Sequence, residues 1–160
     1  MRLLLHSEGK ELDMLTKLLP DQISKFWPII RYAVEQSLPP MLGEHPDKTN
    51  RLLSACLSGS LEVWASYVRK EEGVKFEAIL ITQLLYDDAS NMKNLLIYCI
   101  YGYTVIDKES WAEGYKVISK YAKAQGCSAI VAYSANDHIV ELTKSFGADT
   151  SFTFISIKIV

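Results

Sequence analysis

The feature that most constrains the fold is an alternation of strand and helix patterns between residues 94 and 148. The apolar run Asn94–Ile106 predicts a strand, and Ser110–Gln125 has the periodicity of an amphipathic helix. The apolar run Ala129–Tyr133 predicts a second strand, and a second helical pattern follows in Asn136–Ala148. Because strands joined by a helix usually pair in parallel, this region predicts a parallel pair within one sheet.

The preceding region has the period of two that is typical of half-buried strands. Side chains alternate between residues 61 and 68, and Phe76–Tyr86 is a second long strand pattern. The polar turns Lys70–Gly73 and Asp87–Lys93 separate the strands. Three strands joined by short turns predict an antiparallel meander. We therefore expect an α+β fold with a mixed, mostly antiparallel sheet of about six or seven strands and helices on both faces.

The first 57 residues are predicted to be mainly helical. Lys10–Leu19 has leucines at helical spacing, and a second helix is predicted to begin near Asp21. Pro28 either bends this helix or shifts its start. A third, short helix is predicted to begin at Asp47 and to end near Leu57.

Two further strands are predicted near the ends of the sequence, at Arg2–His6 and Ser151–Val160. The second of these changes phase. It places two phenylalanines on one face and three isoleucines on the other: Phe152, Phe154, Ile155, Ile157 and Ile159. Either both faces of this strand are covered or it contains a bulge near Phe154.

Composition limits the class of protein. The chain has 160 residues, 49% hydrophobic and 22% charged, which is enough to bury one core. We expect a single domain at 1–160, with a helical part at 1–57 and a sheet core at 61–160. A net charge of −2 without a basic stripe argues against nucleic acid and anionic membranes as partners. No apolar run approaches the ~20 residues that cross a bilayer, so we expect a soluble protein.

The cysteines and histidines do not suggest a metal site. Cys56, Cys99 and Cys127 are far apart and odd in number, which predicts free thiols in a reducing, cytosol-like compartment. Cys99 lies within an apolar run and is expected to be buried. The histidines are scattered as well: His6, His45 and His138. No metal ligand set is expected from these residues.

The loop before the helix at 110–125 is acidic. Asp107 or Ser110 is placed to cap this helix, with Glu113 as the capping-box partner. A helix N-terminus that binds phosphate needs glycines, so that the backbone can approach the anion. Gly114 is the only glycine between Thr104 and the second turn of the helix. Carboxylates here stabilise the helix but repel an anionic ligand.

The order of elements resembles the C-terminal half of the GCN5-related N-acetyltransferase (GNAT) superfamily, across residues 61–160. The specific part is the family motif Asn-x-x-Ala-x-x-Leu-Tyr-x-x-x-Gly-Phe, which is matched at Asn136, Ile139, Leu142 and Gly147. The resemblance implies a sheet with an acetyl-CoA site, in which the first loop cradles the pyrophosphate and Asn136 lies near the pantetheine arm. Asn136 is equally suited to be a helix N-cap.

The chain departs from the family pattern at both motifs. The Arg/Gln-x-x-Gly-x-Gly/Ala loop of the family is replaced by Thr104–Gly114, so Gly114 and Asn136 are the only cofactor-binding candidates. Thr143 stands where the family has a tyrosine that protonates the leaving thiolate. An aliphatic hydroxyl titrates far above the ~10 of tyrosine and is not a general acid near neutral pH.

Two carboxylates flank the second long strand, where acetyltransferases often place a general base. These are Glu77 and Asp87, and their alternative role is that of solvated surface carboxylates. Aromatic side chains at strand spacing either line a cleft or belong to the core: Trp64, Tyr98, Tyr101, Tyr103 and Trp111.

Two functional classes follow. The motif at 136–148 is also similar to degenerate GNAT-fold proteins of tailed bacteriophages, including virion-associated ones. The missing glycines and the missing tyrosine favour a protein without acetyl-CoA catalysis or cofactor that binds a protein partner or a larger assembly, in the host cytoplasm or the virion. The alternative is an active N-acyltransferase that uses acetyl-CoA through an atypical loop. The tract Leu38–His45 is the expected partner surface, beside an apolar stripe that is otherwise core: Ile23, Phe26, Trp27 and Ile30.

Overall fold

The computed structural model describes residues 15–39 and 42–160. Within these ranges five strands form one sheet in the order β1-β2-β3-β4-β5. The strands are β1 Thr16–Lys17, β2 Glu62–Lys70, β3 Gly73–Asp87, β4 Met92–Gly102 and β5 Ala129–Ala132. The helices are α1 Pro20–Lys25, α2 Trp27–Ser37, α3 Lys48–Ser58, α4 Lys108–Ala124 and α5 Asp137–Ser145.

The predicted pairing of the sheet is confirmed. β2, β3 and β4 form an antiparallel meander, and β4 pairs in parallel with β5 from Asn94↔Ala129 to Ile97↔Ala132. The mixed, mostly antiparallel sheet with helices on both faces is the GNAT-like architecture expected from the element order. The described residues contain five strands rather than six or seven.

The expected strand at Ser151–Val160 is wrong. The whole segment is exposed and belongs to neither helix nor strand. Its apolar side chains point to both faces of the chain, so it needs cover on both sides to join a sheet, and the described residues do not cover it. The predicted strand Arg2–His6 lies outside the described residues.

The N-terminal segments also differ from the prediction. Lys10–Leu19 was expected to be helical, but Thr16 and Lys17 form β1, which pairs with Ala65 and Trp64 of β2. The rest of that segment before residue 15 lies outside the described residues. Pro20, directly after the segment expected to be helical, begins α1.

The helix predicted from Asp21 is divided in two at Phe26. Pro28 lies in the first turn of α2, where its missing N–H costs no hydrogen bond, so the helix restarts at Trp27. The third predicted helix is present as α3, with Asp47 at the N-cap position.

The sheet separates two hydrophobic layers. On one face α1, α2 and α3 cover β2 and β3, and the buried side chains include Ile30, Val34, Val63, Ile79 and Ile81. On the other face α4 packs on the sheet through Ile118 and Ala122, against Trp64, Leu80 and Leu95. Both layers are continuous over the meander, which is therefore the rigid part of the fold.

A buried polar network lies at the edge of the α4 layer. The indole Nε1 of Trp64 donates to Oγ1 of Thr82 at 3.0 Å, and that hydroxyl donates to Oε1 of Glu62 at 3.1 Å. Glu62 Oε2 is 3.5 Å from the ammonium of Lys17 on β1. Each polar side chain of this network thus has a partner, and the network ties β1 and β3 to β2.

Among the described residues, no helix is both long enough and apolar enough to span a lipid bilayer.

Candidate functional site

A cavity of about 1970 Å³ runs along the parallel strands β4 and β5 and reaches their carboxyl ends. In sheets with parallel strands this end is where ligands bind, because the following loops and helix N-termini converge there. The walls come from the β2–β3 hairpin, the loop before α4, both α4 and α5, and the C-terminal segment. The cavity exceeds the ~300–1,000 Å³ of most ligand pockets, so it is an open cleft rather than a fitted pocket.

The N-terminus of α4 faces this cleft and is capped by a carboxylate side chain. Asp107 has the extended backbone of an N-cap, and its Oδ1 accepts from the backbone N–H of Ser110 at 2.7 Å. Glu109 adds a second carboxylate in the first turn. The acidic cap predicted from the sequence is therefore present, with Asp107 rather than Ser110 in the cap position.

Glu113 is not the capping-box partner that the sequence suggested. The residue three positions after the cap is Ser110, and Glu113 instead contacts the ammonium of Lys116 at 3.1 Å on the outside of α4. Gly114, in the second turn, lines the cleft, and a Cβ built there would meet no atom within 4 Å. Packing therefore does not require a glycine at position 114. The role of Gly114 in binding a cofactor stays a prediction.

Glu77 lies on a β-bulge at the rim of the cleft. Ser66 pairs with Ala78 and Tyr67 pairs with Phe76, so Glu77 is the extra residue of β3. Its carbonyl accepts from the N–H of Tyr103 at 2.9 Å, which holds the bulge in place. Bulges re-aim side chains and recur beside active sites, and Glu77 lines the cleft together with its neighbour Ala78.

The other candidate base is at the opposite end of the same strand. Ten residues of β3 separate Glu77 from Asp87, which at about 3.3 Å per residue is roughly 33 Å. The carboxylate of Asp87 accepts from the hydroxyl and the backbone N–H of Ser90, and these hydrogen bonds lower its pKa. Asp87 therefore organises the β3–β4 turn, and the structure does not bring it to the cleft.

Asn136 caps α5. Its Oδ1 accepts from the backbone N–H groups of His138 at 2.9 Å and Ile139 at 3.3 Å. The neighbours Ala135 and Ile139 line the cleft, so the cap lies at its edge. The cap interpretation accounts for the acceptor oxygen of Asn136, while a contact with a cofactor stays a prediction.

Thr143 lines the cleft with a hydroxyl that is already used. Its Oγ1 donates to the carbonyl of Val140 at 2.8 Å, one turn earlier in α5. Two phenols that the sequence analysis did not single out also reach the wall: Tyr115 stacks on Phe146 at 4.7 Å, and Tyr133 lies 5.5 Å from the ring of Phe154. Tyr115 lies in the helix predicted at Ser110–Gln125, and in the structure its side chain is 42% exposed.

The remaining aromatic candidates divide between core and cleft. Tyr98, Tyr101 and Tyr103 pack against the core layer under α1–α3, and the hydroxyl of Tyr103 donates to the carbonyl of Ile29 at 2.5 Å. Trp64 is buried under α4, as described above. Trp111 alone of the five lines the cleft.

Metal chemistry has no candidate ligand set in residues 15–39 and 42–160, because no three His, Cys, Asp or Glu side chains converge there. His45 and His138 are exposed, and Nδ1 of His45 accepts from the N–H of Asp47 at 3.0 Å. His6 lies outside the described residues.

Several solved structures with a similar fold are acetyltransferases. AAC(6')-Iy, solved with a bisubstrate analogue, has a TM-score of 0.67 at 10% identity, covering 92% of this chain and 98% of that chain. A ribosomal-protein-alanine N-acetyltransferase from Brucella melitensis biovar Abortus 2308 has a TM-score of 0.63 at 13% identity, covering 91% and 99%. An aminoglycoside acetyltransferase from an uncultured soil metagenomic sample, solved with sisomicin, has a TM-score of 0.64 at 15% identity, covering 92% and 97%.

These likenesses define a GNAT-like fold over nearly the whole chain and, at such low identity, nothing finer. No protein-family model matches the sequence, and no curated protein matches it either.

Proposed function

We propose that this chain is a GNAT-fold protein that does not use acetyl-CoA and acts by binding a protein partner. The observation that carries the proposal is the N-terminus of α4, where Asp107 accepts from Ser110 at 2.7 Å and Glu109 adds a second charge. A pyrophosphate placed at this N-terminus would meet two carboxylates instead of free backbone donors. The charge repulsion acts directly against the ligand that a GNAT enzyme requires.

The lack of an evident acid at the family position supports the same conclusion. Thr143 donates to the carbonyl of Val140, and an aliphatic hydroxyl does not protonate a thiolate near neutral pH. No cofactor is proposed, and neither nucleic acid nor a membrane is a proposed partner. The proposed setting is a protein assembly in the cytoplasm of a host cell or in a phage particle.

Only part of the tract Leu38–His45 remains a proposed partner surface. Ile23 and Ile30 of the apolar stripe are buried, and Leu38 packs against the same core layer. Leu42 and the residues up to His45 are exposed, and residues 40–41 lie outside the described ranges. The exposed end at 42–45 is what remains available to a neighbour.

A second candidate function has its own supporting observation. Glu77 lines the cleft on a bulge, and the hairpin beside it supplies cationic side chains to the same wall from Arg69, Lys70 and Lys75. A carboxylate beside an open cleft can serve as the general base of an N-acyltransferase. In that function Tyr115 or Tyr133 would supply the phenol that Thr143 lacks.

Calorimetric titration with acetyl-CoA tests the proposal. The wild-type chain should give no binding heat at millimolar ligand. The double variant Asp107→Asn/Glu109→Gln keeps an N-cap oxygen and removes both charges, so it should give measurable binding heat at the same ligand concentration. Glu113→Gln is the matched control, because it removes one charge from the outside of the same helix, and it should bind no better than wild type.

A micromolar dissociation constant for the wild-type chain would overturn the proposal and favour the enzyme. Acetyl transfer to a panel of amines would then be compared in Glu77→Gln and Asp87→Asn. Loss of turnover in Glu77→Gln with normal turnover in Asp87→Asn would identify the base in the cleft. Turnover equal to that of the wild-type chain in both variants would exclude the two carboxylates as the general base.

A further inference from the structure

The segment Ser151–Val160 holds six of the sixteen exposed large apolar side chains of the described residues. Six large apolar side chains there are between 55% and 117% exposed: Phe152, Phe154, Ile155, Ile157, Ile159 and Val160. The segment forms neither helix nor strand, although its β-branched and aromatic residues favour extended structure. Contiguous exposed apolar surface of this kind marks a contact with another molecule.

A second unfinished feature is the outer edge of β5. β5 is the last strand of the sheet, and its one described neighbour is β4, so its other edge lacks a strand within the described residues. The residues of β5 are Ala129, Ile130, Val131 and Ala132, which include no charge and no proline. Such an edge is open to pairing with an added strand, since neither charge nor proline blocks it.

The two features are both apolar. Ile130 of β5 packs against the buried layer under α4 and also lines the cleft. Val131 lines the same cleft together with Ile139 and Val140 of α5. A strand added beside β5 would therefore lie next to apolar side chains of β5, α4 and α5.

We propose that Ser151–Val160 of one copy of this chain adds as a strand to the free edge of β5 in a second copy, and that the exchange is reciprocal. Among its described residues each chain carries one such segment and one such edge, so a two-fold pair uses both and leaves neither exposed. Within one chain the segment reaches the end of its own β5, where Phe154 lies 5.5 Å from Tyr133, and yet it stays outside the sheet.

The surface available is sufficient for a stable pair. A covered aromatic side chain buries about 150–250 Å², so the two phenylalanines and four aliphatic side chains together supply roughly 800 Å² per copy. That is the contribution per partner of a typical specific interface. β5 and the start of the C-terminal segment also line the cleft, so the dimer is tested without acetyl-CoA present.

Sedimentation equilibrium of the full chain between about 1 and 100 μM, combined with hydrogen exchange, tests the proposal. We expect a dimer in which the amides of Ser151–Val160 are protected. Ile157→Glu should weaken the dimer at least about tenfold, because it would bury an unpaired carboxylate, and should remove that protection. Val105→Glu is the matched control, because Val105 is fully exposed outside the segment, and its dimer should be unchanged.

Three results would overturn the proposal. The first is a chain that stays monomeric throughout this range without protection in the segment. The second is a monomer with a protected segment, which would mean that the chain covers its own edge. The third is a dimer that Ile157→Glu leaves intact, since the interface would then lie elsewhere.

Discussion

The meander is packed more tightly than the C-terminal region that begins with α5. In the meander, Ala65, Ile79, Ile81 and Leu95 are fully buried, and the polar groups of Glu62 and Thr82 find partners. From Asp137 onward, α5 buries none of its residues and the ten residues Ser151–Val160 are all exposed.

This difference indicates that the part of the fold that provides stability is separate from the part that forms the cleft. A meander closed on both faces by helices holds the sheet without help from β5, which pairs over only four residues. The cleft and the proposed strand edge both lie in the loosely packed part, as is usual for surfaces that must meet a ligand or partner. The predictions below test this division from the largest expected effect to the smallest.

Two isoleucines give the sharpest test. Ile81→Ala should lower the free energy of unfolding by about 2–5 kcal/mol, because Ile81 is completely buried between β2 and β4. Ile157→Ala removes the same atoms from an exposed side chain and should change it by less than about 0.5 kcal/mol. Urea unfolding measures both changes in free energy, at a protein concentration low enough to keep the chain monomeric. Equal losses would mean that the C-terminal segment is part of the monomer core.

Thiol reactivity separates the two regions a second way. Burial raises the pKa of Cys56 to about 11 and that of Cys99 to about 12, whereas Cys127 before β5 is only half-buried. At pH 8 alkylation of the two core thiols should be at least roughly 100-fold slower than that of an exposed thiol, and Cys127 should react first. Peptide mass spectrometry after a timed iodoacetamide pulse measures the order. Labelling of Cys99 as early as Cys127 would contradict the assignment.

The same pKa values fix the sign of a pH effect. The folded chain holds the protons of Cys56 and Cys99 more tightly than the unfolded chain, in which a thiol titrates near ~8.5. The stability contributed by these two buried neutral thiols is complete below that pH. It falls as the pH rises from ~8.5 towards the folded values of about 11 and about 12.

Two threonines allow a matched test of polar packing. Thr82→Val should cost about 1–3 kcal/mol, because it leaves the indole N–H of Trp64 and the carboxylate of Glu62 without the hydroxyl between them. Thr143→Val removes a hydroxyl that bonds only within its own helix and should cost about 0.5 kcal/mol or less. Thermal unfolding of both variants checks the ratio. A neutral Thr82→Val would show that the network is not needed for stability.

The meander was predictable from the sequence because its strands alternate and its turns are polar. The strands at Leu61, Phe76 and Asn94 are present, and the helix–strand unit after them pairs in parallel as expected. The bulge at Glu77 was not predictable, because one extra residue in a long strand leaves no mark on an already irregular pattern.

The prediction of a C-terminal strand was wrong for a related reason. The apolar pattern at Ser151–Val160 correctly indicates a need for burial, but a pattern does not say which surface supplies it. Of the site candidates, Glu77, Gly114 and the edge at Asn136 were brought near one cleft, whereas Asp87 was not, because flanking one strand says nothing about which end of it faces the site. The phenols Tyr115 and Tyr133 were missed because their periodic positions look like core positions.

The smallest effect concerns the caps of the two C-terminal helices. Asn136→Ala removes the acceptor for two N–H groups of α5, worth about 1 kcal/mol to the helix. Because α5 buries no residue, this loss should increase hydrogen exchange in α5 and leave global unfolding unchanged within about 0.3 kcal/mol. Asp107→Ala removes the equivalent cap from α4, whose Ile118 and Ala122 belong to the core, so there the ~1 kcal/mol should appear in global unfolding. Asn136→Asp keeps the cap and is the control. A global loss in Asn136→Ala as large as that in Asp107→Ala would show that α5 folds as one unit with the meander.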